Sequence, residues 1–176
     1  GVLSFISAPD YESKTSYSAT VTVSDGELED TQDLIVSVIN VNDNSPVITS
    51  GSGFSVNENV STIGTVQASD ADNDALAYSV TGSELQISNS GVLSFSDSNG
   101  ADFESQSSYI AEVSVFDGVF TVSQTIIITV NDTNDNTPII STSSLTPNEN
   151  LVIIGSVSAT DGDADSTLSF SISGAD

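Results

Sequence analysis

The chain has 176 residues, of which 25 are acidic and only one, Lys14, is basic, so its formal net charge is −24. This charge excludes nucleic acid and anionic membrane surfaces as partners. The absence of Cys and His excludes disulfides, zinc and haem sites and histidine acid–base chemistry. Oxygen atoms are the metal ligands that remain, and no apolar run approaches the roughly 20 residues that span a bilayer. The composition favours a piece of an extracellular protein without membrane insertion.

Alternating apolar residues predict half-buried β-strands, in chain order, over residues 18–23, 34–38, 110–115 and 125–130. These segments are rich in Val, Ile, Thr and Tyr. Clusters of Ser, Thr, Asn, Asp and Gly mark turns about every 8 to 12 residues, and no segment has the apolar spacing of a helix. The pattern is typical of an all-β sandwich.

Short words recur along the chain at a spacing of 90 to 92 residues. GVLSF at 1–5 returns at 91–95, and the words at 10–13 and 42–46 return at 102–105 and 134–138. This predicts a tandem array, with the C-terminal half of a repeat at 1–45, a complete repeat at 46–136 and the N-terminal half of a following repeat at 137–176. Each half alone would expose strand edges and an open core, so we expect each to be completed, within a longer chain or by another copy.

The acidic residues cluster around the two repeat boundaries. The first group consists of Asp10, Glu12, Asp43, Asp70, Asp72 and Asp117, and the second of Glu58, Asp102, Glu104, Asp132, Asp135, Asp161 and Asp163. Calcium takes about 6 to 8 oxygens from carboxylates, Asn side chains and backbone carbonyls. The Asn-Asp-Asn words at 42–44 and 134–136 offer all three kinds. Because the acids recur at fixed positions, a calcium site is predicted at each boundary.

These words resemble the motifs of cadherin repeats, and the resemblance covers the whole chain. The cadherin linker, Asp-x-Asn-Asp-Asn-x-Pro, is matched at 132–138, the Asp-x-Glu word at 10–12 and 102–104, the Asp-x-Asp word at 70–72 and 161–163, and the early Glu at 58 and 149. The resemblance implies a seven-stranded Greek-key sandwich for each repeat. It also implies calcium ions at each junction, in outer, middle and inner positions.

At the second junction the resemblance implies three ions. The outer ion would be held by Glu58, Asp102, Glu104 and Asp135, and the middle ion would be shared by Glu58, Glu104, Asp132, Asp135 and Asp163. The inner ion would be held by Asn134, Asp161, Asp163 and the carbonyl of Asn136. At the first junction it implies one ligand group of Asp10, Glu12, Asp43 and Asp72 and another of Asn42, Asp70, Asp72 and Asp117, with Asn44 also a candidate. Asn40 stands where the linker motif has its first Asp. The middle ion of the first junction is therefore expected to be weaker or absent.

The expected function is that of a calcium-stiffened structural segment of an extracellular adhesin or surface fibre, and the scarcity of Lys and Arg favours a bacterial or archaeal origin. An enzyme is not expected, because the acidic pairs suited to glycoside hydrolysis recur in every repeat and the chain has no Trp for a sugar platform. An EF-hand at 70–81 is disfavoured because Ala75 and Thr81 occupy its Gly and Glu positions. Two alternatives stay open: an adhesion module that binds itself, a cell-surface receptor or a glycan, and a fibre subunit that polymerises by complementation of half-repeats.

Overall fold

The computed structural model describes residues 1–164 and 166–174, and this part of the chain is all-β, with thirteen strands and no helix. The strands are β1 (Ser16–Ser24), β2 (Glu29–Ser37), β3 (Val47–Ile48), β4 (Gly53–Asn57), β5 (Thr62–Thr65), β6 (Ala68–Ser69), β7 (Ala77–Val80), β8 (Leu85–Ile87), β9 (Val92–Phe95), β10 (Ser108–Phe116), β11 (Thr121–Asn131), β12 (Ile139–Ile140) and β13 (Ala159–Thr160). The predicted all-β class is confirmed.

Strands β3 to β11 form a sandwich with two main sheets. One sheet has the strand order β4-β11-β10-β7, and the other has the order β5-β9-β8. β4 runs parallel to β11, whereas the other pairs in the two sheets are antiparallel. The resemblance implies seven strands, and the structure has nine segments here because β3 and β6 pair with each other, apart from the main sheets.

The core of this sandwich is built by alternation along its strands. In β11, Ile126, Ile128 and Val130 are almost completely buried, while the residues between them face solvent. Leu93 of β9 and Val113 of β10, which belong to opposite sheets, join the same apolar cluster. Burial of side chains of this size contributes about 1.5–3 kcal/mol each. The packed core thus fixes the strand ends from which the acidic turns extend.

The segments on either side of the sandwich form isolated strand pairs. β1 and β2 make an antiparallel hairpin in which Ala19 lies opposite Leu34, and β12 pairs with β13. The strands predicted at 18–23, 34–38, 110–115 and 125–130 correspond to β1, β2, β10 and β11. The predicted half-buried alternation is present in β10, in β11 and at the end of β2, whereas every residue of β1 except Tyr17 is exposed. A lone two-stranded hairpin is marginally stable in water, so β1 and β2 depend on further contacts.

Candidate metal centres

At the first junction, Asp72 ties the bend after β6 to the linker between β2 and β3. Its carboxylate accepts hydrogen bonds from the backbone N–H groups of Asp43, at 3.1 Å, and Asn44, at 2.8 Å. The side-chain amide of Asn44 adds a third, at 2.9 Å. Burial, which leaves Asp72 only 3% exposed, opposes the charge, but these bonds lower the pKa of Asp72 below its ordinary value. The buried carboxylate is therefore held in its charged form.

Three carboxylates from three consecutive segments converge at this point. One oxygen atom each of Glu12, Asp43 and Asp72 lies within 4.8 Å of the other two. Glu12 belongs to the turn before β1, Asp43 to the linker and Asp72 to the bend after β6. Like charges at this separation repel one another. A divalent cation between them would replace this repulsion by attraction.

On the inner side of Asp72 lie Asn42, Asp70 and Asp117. The Asn42 side-chain amide donates a hydrogen bond to the backbone carbonyl of Asp117 at 3.2 Å, and the N–H of Asp72 donates to Asp70 Oδ1 at 2.9 Å. One side-chain oxygen each of Asn42, Asp70 and Asp117 is buried without a hydrogen-bond donor. A buried polar atom without a partner costs about 1–3 kcal/mol. Because oxygen atoms are the ligands that calcium prefers, this donor set fits the ion that the sequence predicts.

At the second junction, Glu58 holds together the end of β4, the turn before β10 and the linker after β11. Its carboxylate accepts hydrogen bonds from the N–H groups of Phe103, at 2.9 Å, and Thr133, at 2.7 Å. These bonds, that of Phe103 first, lower the pKa of Glu58 below its ordinary value. One oxygen each of Glu58, Glu104 and Asp132 lies within 4.8 Å of the other two. This junction too has an acidic cluster anchored on a buried carboxylate.

Asp163 and Asp132 connect the second junction to the segment that follows. Asp163 accepts hydrogen bonds from the N–H groups of Asp135 and Asn136, each at 3.3 Å, which repeats the arrangement at Asp72. Asp132 accepts the N–H of Ala164 at 2.7 Å with one carboxylate oxygen. Its other oxygen is buried without a hydrogen-bond partner, so Asp132 also fits a cation ligand.

Desolvation and neighbouring acids shift the pKa of another carboxylate in this cluster, that of Glu104. Partial burial, and after it the neighbouring carboxylates of Asp102 and Glu58, raise the pKa of Glu104 above its ordinary value. An acid whose neighbours are also acids takes up a proton more readily. A cation at this position would have the opposite effect, because positive charge favours the ionised carboxylate.

Other predicted ligands lie outside these close acidic groups. The carboxylates of Asp10 and Asp102 each accept a hydrogen bond from a serine hydroxyl, at 2.7 and 2.8 Å, and from backbone N–H groups of their own turns. These bonds, the serine hydroxyl first, lower both pKa values. Asn134 and Asp161 line one cavity beside Pro138, and Asp161 accepts the N–H of Asp163 at 3.1 Å.

Two residues at the junctions were missed by the sequence reasoning. Asn59 donates a hydrogen bond from its side-chain amide to the Asp135 carboxylate and has a positive φ of 61°. Its recurrence as Asn150, whose φ is 67°, was a usable signal. Asp74 forms a group with Asp70 and Asp72 in which one oxygen of each lies within 4.8 Å of the others. Its spacing in the sequence suggested only the disfavoured EF-hand.

Comparisons with known proteins agree with this architecture. No protein-family model matches the chain. Protocadherin gamma-A5 of Homo sapiens is 34% identical over 154 residues, which are 78% of this chain and 16% of that protein. Chitinase A of Pseudoalteromonas piscicida is 43% identical over 75 residues, which are 42% of this chain and 9% of that protein.

Among solved structures, the protocadherin gammaB7 EC3-6 cis-dimer has a TM-score of 0.72 at 24% identity, over 88% of this chain and 45% of that chain. Chicken VE-cadherin EC1-2 has a TM-score of 0.57 at 28% identity, over 70% of each chain. The chain thus spans a small part of its curated relatives and less than half of the first of these structures.

The sandwich and the acidic junctions define a class of extracellular β-sandwich repeats. The chain is cadherin-like in fold and in sequence, and the cadherin regions that it matches are extracellular domains. Cadherin domains are adhesion modules without enzymatic activity, and they generally bind calcium at their linkers. The bacterial or archaeal origin stays a prediction. Within residues 1–164 and 166–174, no helix is long and apolar enough to cross a membrane.

Proposed function

We propose that this chain is a calcium-stiffened structural segment of an extracellular adhesin or surface fibre, in which junctional ions hold successive repeats in a rod. The observation that carries the proposal is the convergence of Glu12, Asp43 and Asp72 within 4.8 Å. These residues belong to the first segment, the linker and the sandwich, respectively. A cation bound among them contacts all three at once, so bending the junction requires breaking ion–oxygen bonds.

The residues proposed to hold the ions are those predicted from the sequence, with the division at 1–45, 46–136 and 137–176 as the proposed repeat boundaries. Bound calcium supplies positive charge and accepts varied oxygen geometries. The chain's own residues do the rest: Asp72 and Asp163 fix the linkers by accepting their N–H groups. Extracellular calcium modules bind at about 10⁻⁴ to 10⁻³ M, so we expect the rod to form in millimolar calcium and to loosen on chelation.

Small-angle X-ray scattering in millimolar calcium and after chelation tests the proposal. With calcium, the distance distribution should be that of an extended particle. After chelation, the maximum dimension should fall or the profile should become that of a flexible chain, while circular dichroism still reports the β-sheet of the sandwich, whose core does not include the junction acids. A scattering profile that is the same in both conditions would contradict the proposal.

Substitution of Asp135 by Ala tests the second junction without altering the core of the sandwich, because Asp135 is exposed in the linker after β11. In calcium, D135A should bind fewer ions and scatter as a more flexible particle than the wild type. The matched control is E112A, which removes one negative charge from an exposed position of β10. Equal ion numbers and equal scattering for D135A and the wild type would contradict the assignment of Asp135.

A second candidate is a fibre subunit that joins its copies through half-repeats, and such joining would cover apolar residues that are exposed in the flanking segments. Val21 and Val23 of β1 are 43% and 65% exposed, whereas Val113 and Val115, their counterparts in β10, are 0% exposed. Ile154, in the following segment, is 61% exposed. In this candidate, residues 137–176 of one copy supply the strands that residues 1–45 of another copy lack.

A further inference from the structure

The bend after β6 carries an acidic residue, Asp74, that the predicted ligand sets of the first junction leave out. Its carboxylate has one oxygen within 4.8 Å of oxygens from Asp70 and Asp72. The backbone N–H groups of Asp72 and Asp74 both donate to Asp70 Oδ1, at 2.9 and 3.3 Å. This tight bend brings three carboxylates to one place and keeps them there.

Buried oxygens without hydrogen-bond donors give a second, independent indication of a ligand. They are Oδ1 of Asn42 and Oδ2 of Asp70, Asp74 and Asp117. Asp117 is only 5% exposed, and its Oδ1 accepts two backbone N–H groups of the β10–β11 turn, at 2.7 and 2.6 Å. Its Oδ2 is therefore the atom left over. Unpaired polar atoms in a folded protein are rare and costly. Asp70 and Asp74 lie close together on one bend, and the Asn42 side-chain amide is hydrogen-bonded to the Asp117 carbonyl.

The protein itself has little to neutralise these charges. Lys14, the single basic side chain, has its ammonium 4.4 Å from the centre of an aromatic ring in the first segment. Asp74 lies beside Asp70 and Asp72 on the same bend, with one carboxylate oxygen within 4.8 Å of an oxygen of each. A cation is the partner that satisfies all of these groups together.

We propose that Asp74 is an additional carboxylate ligand of the inner calcium ion at the first junction, beside Asn42, Asp70, Asp72 and Asp117. The inference rests on the proposed function, because it requires calcium at that junction. Calcium affinity rises with the negative charge and rigidity of the ligand set, so Asp74 makes this ion more tightly held than the other ligands alone would. The corresponding acid of the second junction, Asp165, lies outside the described residues.

Calcium titration by isothermal calorimetry of the wild type, Asp74→Asn and the control Glu112→Gln tests the inference. D74N should weaken one binding step by about tenfold or more, whereas E112Q, which removes the same charge from the outer face of β10, should titrate as the wild type. In chelator, D74N should melt at or above the wild-type temperature, because a repelling carboxylate is gone. If D74N does not melt cooperatively, Asp74→Ser is titrated in its place. A D74N titration curve equal to that of the wild type overturns the inference.

Failure of the proposed function would look different from failure of this inference. If the junctions bind no calcium, the wild type itself gives no binding heat, and its scattering profile does not respond to chelation. If the wild type binds calcium and stiffens while D74N binds with the same affinity, the junction proposal stands and only the role of Asp74 falls.

Discussion

One side chain distinguishes the linker of the first junction from that of the second. The Asn40 amide donates a hydrogen bond to the backbone carbonyl of Asp72 at 2.7 Å. Asp132, at the corresponding position of the second junction, instead has a buried oxygen without a donor, in the group that it forms with Glu58 and Glu104. Position 40 of the first linker is therefore held by a neutral hydrogen bond, whereas Asp132 of the second linker keeps a negative charge that can bind a cation.

Replacement of Asn40 by Asp should strengthen calcium binding at the first junction and weaken the calcium-free fold. N40D adds an anionic ligand, so a calcium titration should show an added step or one about tenfold tighter. It also removes the amide donor to Asp72, a hydrogen bond of about 0.5–1.5 kcal/mol, so its unfolding free energy in chelator should fall by that amount. The reciprocal variant, D132N, should lose calcium affinity at the second junction. Wild-type binding by N40D would mean that position 40 does not reach an ion.

The recurrence of acids predicted much of the candidate site, because both repeats place the same residue type at the same strand ends. The sequence could not tell which carboxylates are already satisfied by their own turns. Asp10 and Asp102 accept N–H and hydroxyl groups two and three residues further on, whereas Asp117 retains a free buried oxygen. This distinction depends on burial and hydrogen bonding in the folded chain, which residue type and spacing do not encode.

At the scale of elements, the start of β9 depends on the glycine that directly precedes this strand. Gly91 has a positive φ of 78°, and its carbonyl accepts the N–H of Val66 at 2.8 Å. A Cβ atom at Gly91 would lie 2.2 Å from the Val66 carbonyl oxygen. Both the backbone conformation and the close approach therefore require the absence of a side chain.

Gly91→Ala should destabilise the sandwich by more than the backbone conformation alone explains. The matched control is Gly82→Ala, where φ is also positive, at 95°, but nothing lies within 4 Å of the added Cβ. G82A should cost about 1–2 kcal/mol, the cost of a left-handed conformation for a residue with a side chain. G91A should cost about 1–3 kcal/mol more, from overpacking against Val66. Urea denaturation measures both, and equal losses would contradict the close contact at Gly91.

The long strands could be predicted and the short ones could not. β10 and β11 alternate buried and exposed residues over nine and eleven positions, which gives the period-2 pattern room to show. β3, β6, β12 and β13 have two residues each, too few for any period. Their pairing depends on where the rest of the chain brings them, so it is a property of the folded repeat.

At the scale of the whole molecule, burial differs sharply between the sandwich and its flanks. Residues of the sandwich core such as Leu93 and Phe95 are 0% and 3% exposed, while the corresponding Leu3 and Phe5 are 60% and 42% exposed. The same sequence motif is thus buried in the sandwich and exposed in the first segment. Exposed apolar faces of this kind mark interaction surfaces, and in the sandwich the equivalent residues are covered by the strands of their own repeat.

Complementation between copies can be tested with two variants that each lose a different half. Val21→Asp should disable residues 1–45, and Ile154→Asp should disable residues 137–176, since each puts a charge at a position whose counterpart in the sandwich is buried. If half-repeats complement one another, the wild type should gain mass with concentration in light scattering, and each variant alone should stay a monomer. An equimolar mixture should give a one-to-one complex, because V21D retains 137–176 and I154D retains 1–45.

The control variant I110D puts a charge at an outward position of β10 that is 72% exposed, and it should associate as the wild type does. A wild type that stays monomeric at every concentration, or a mixture without a complex, would rule out copies as the cover.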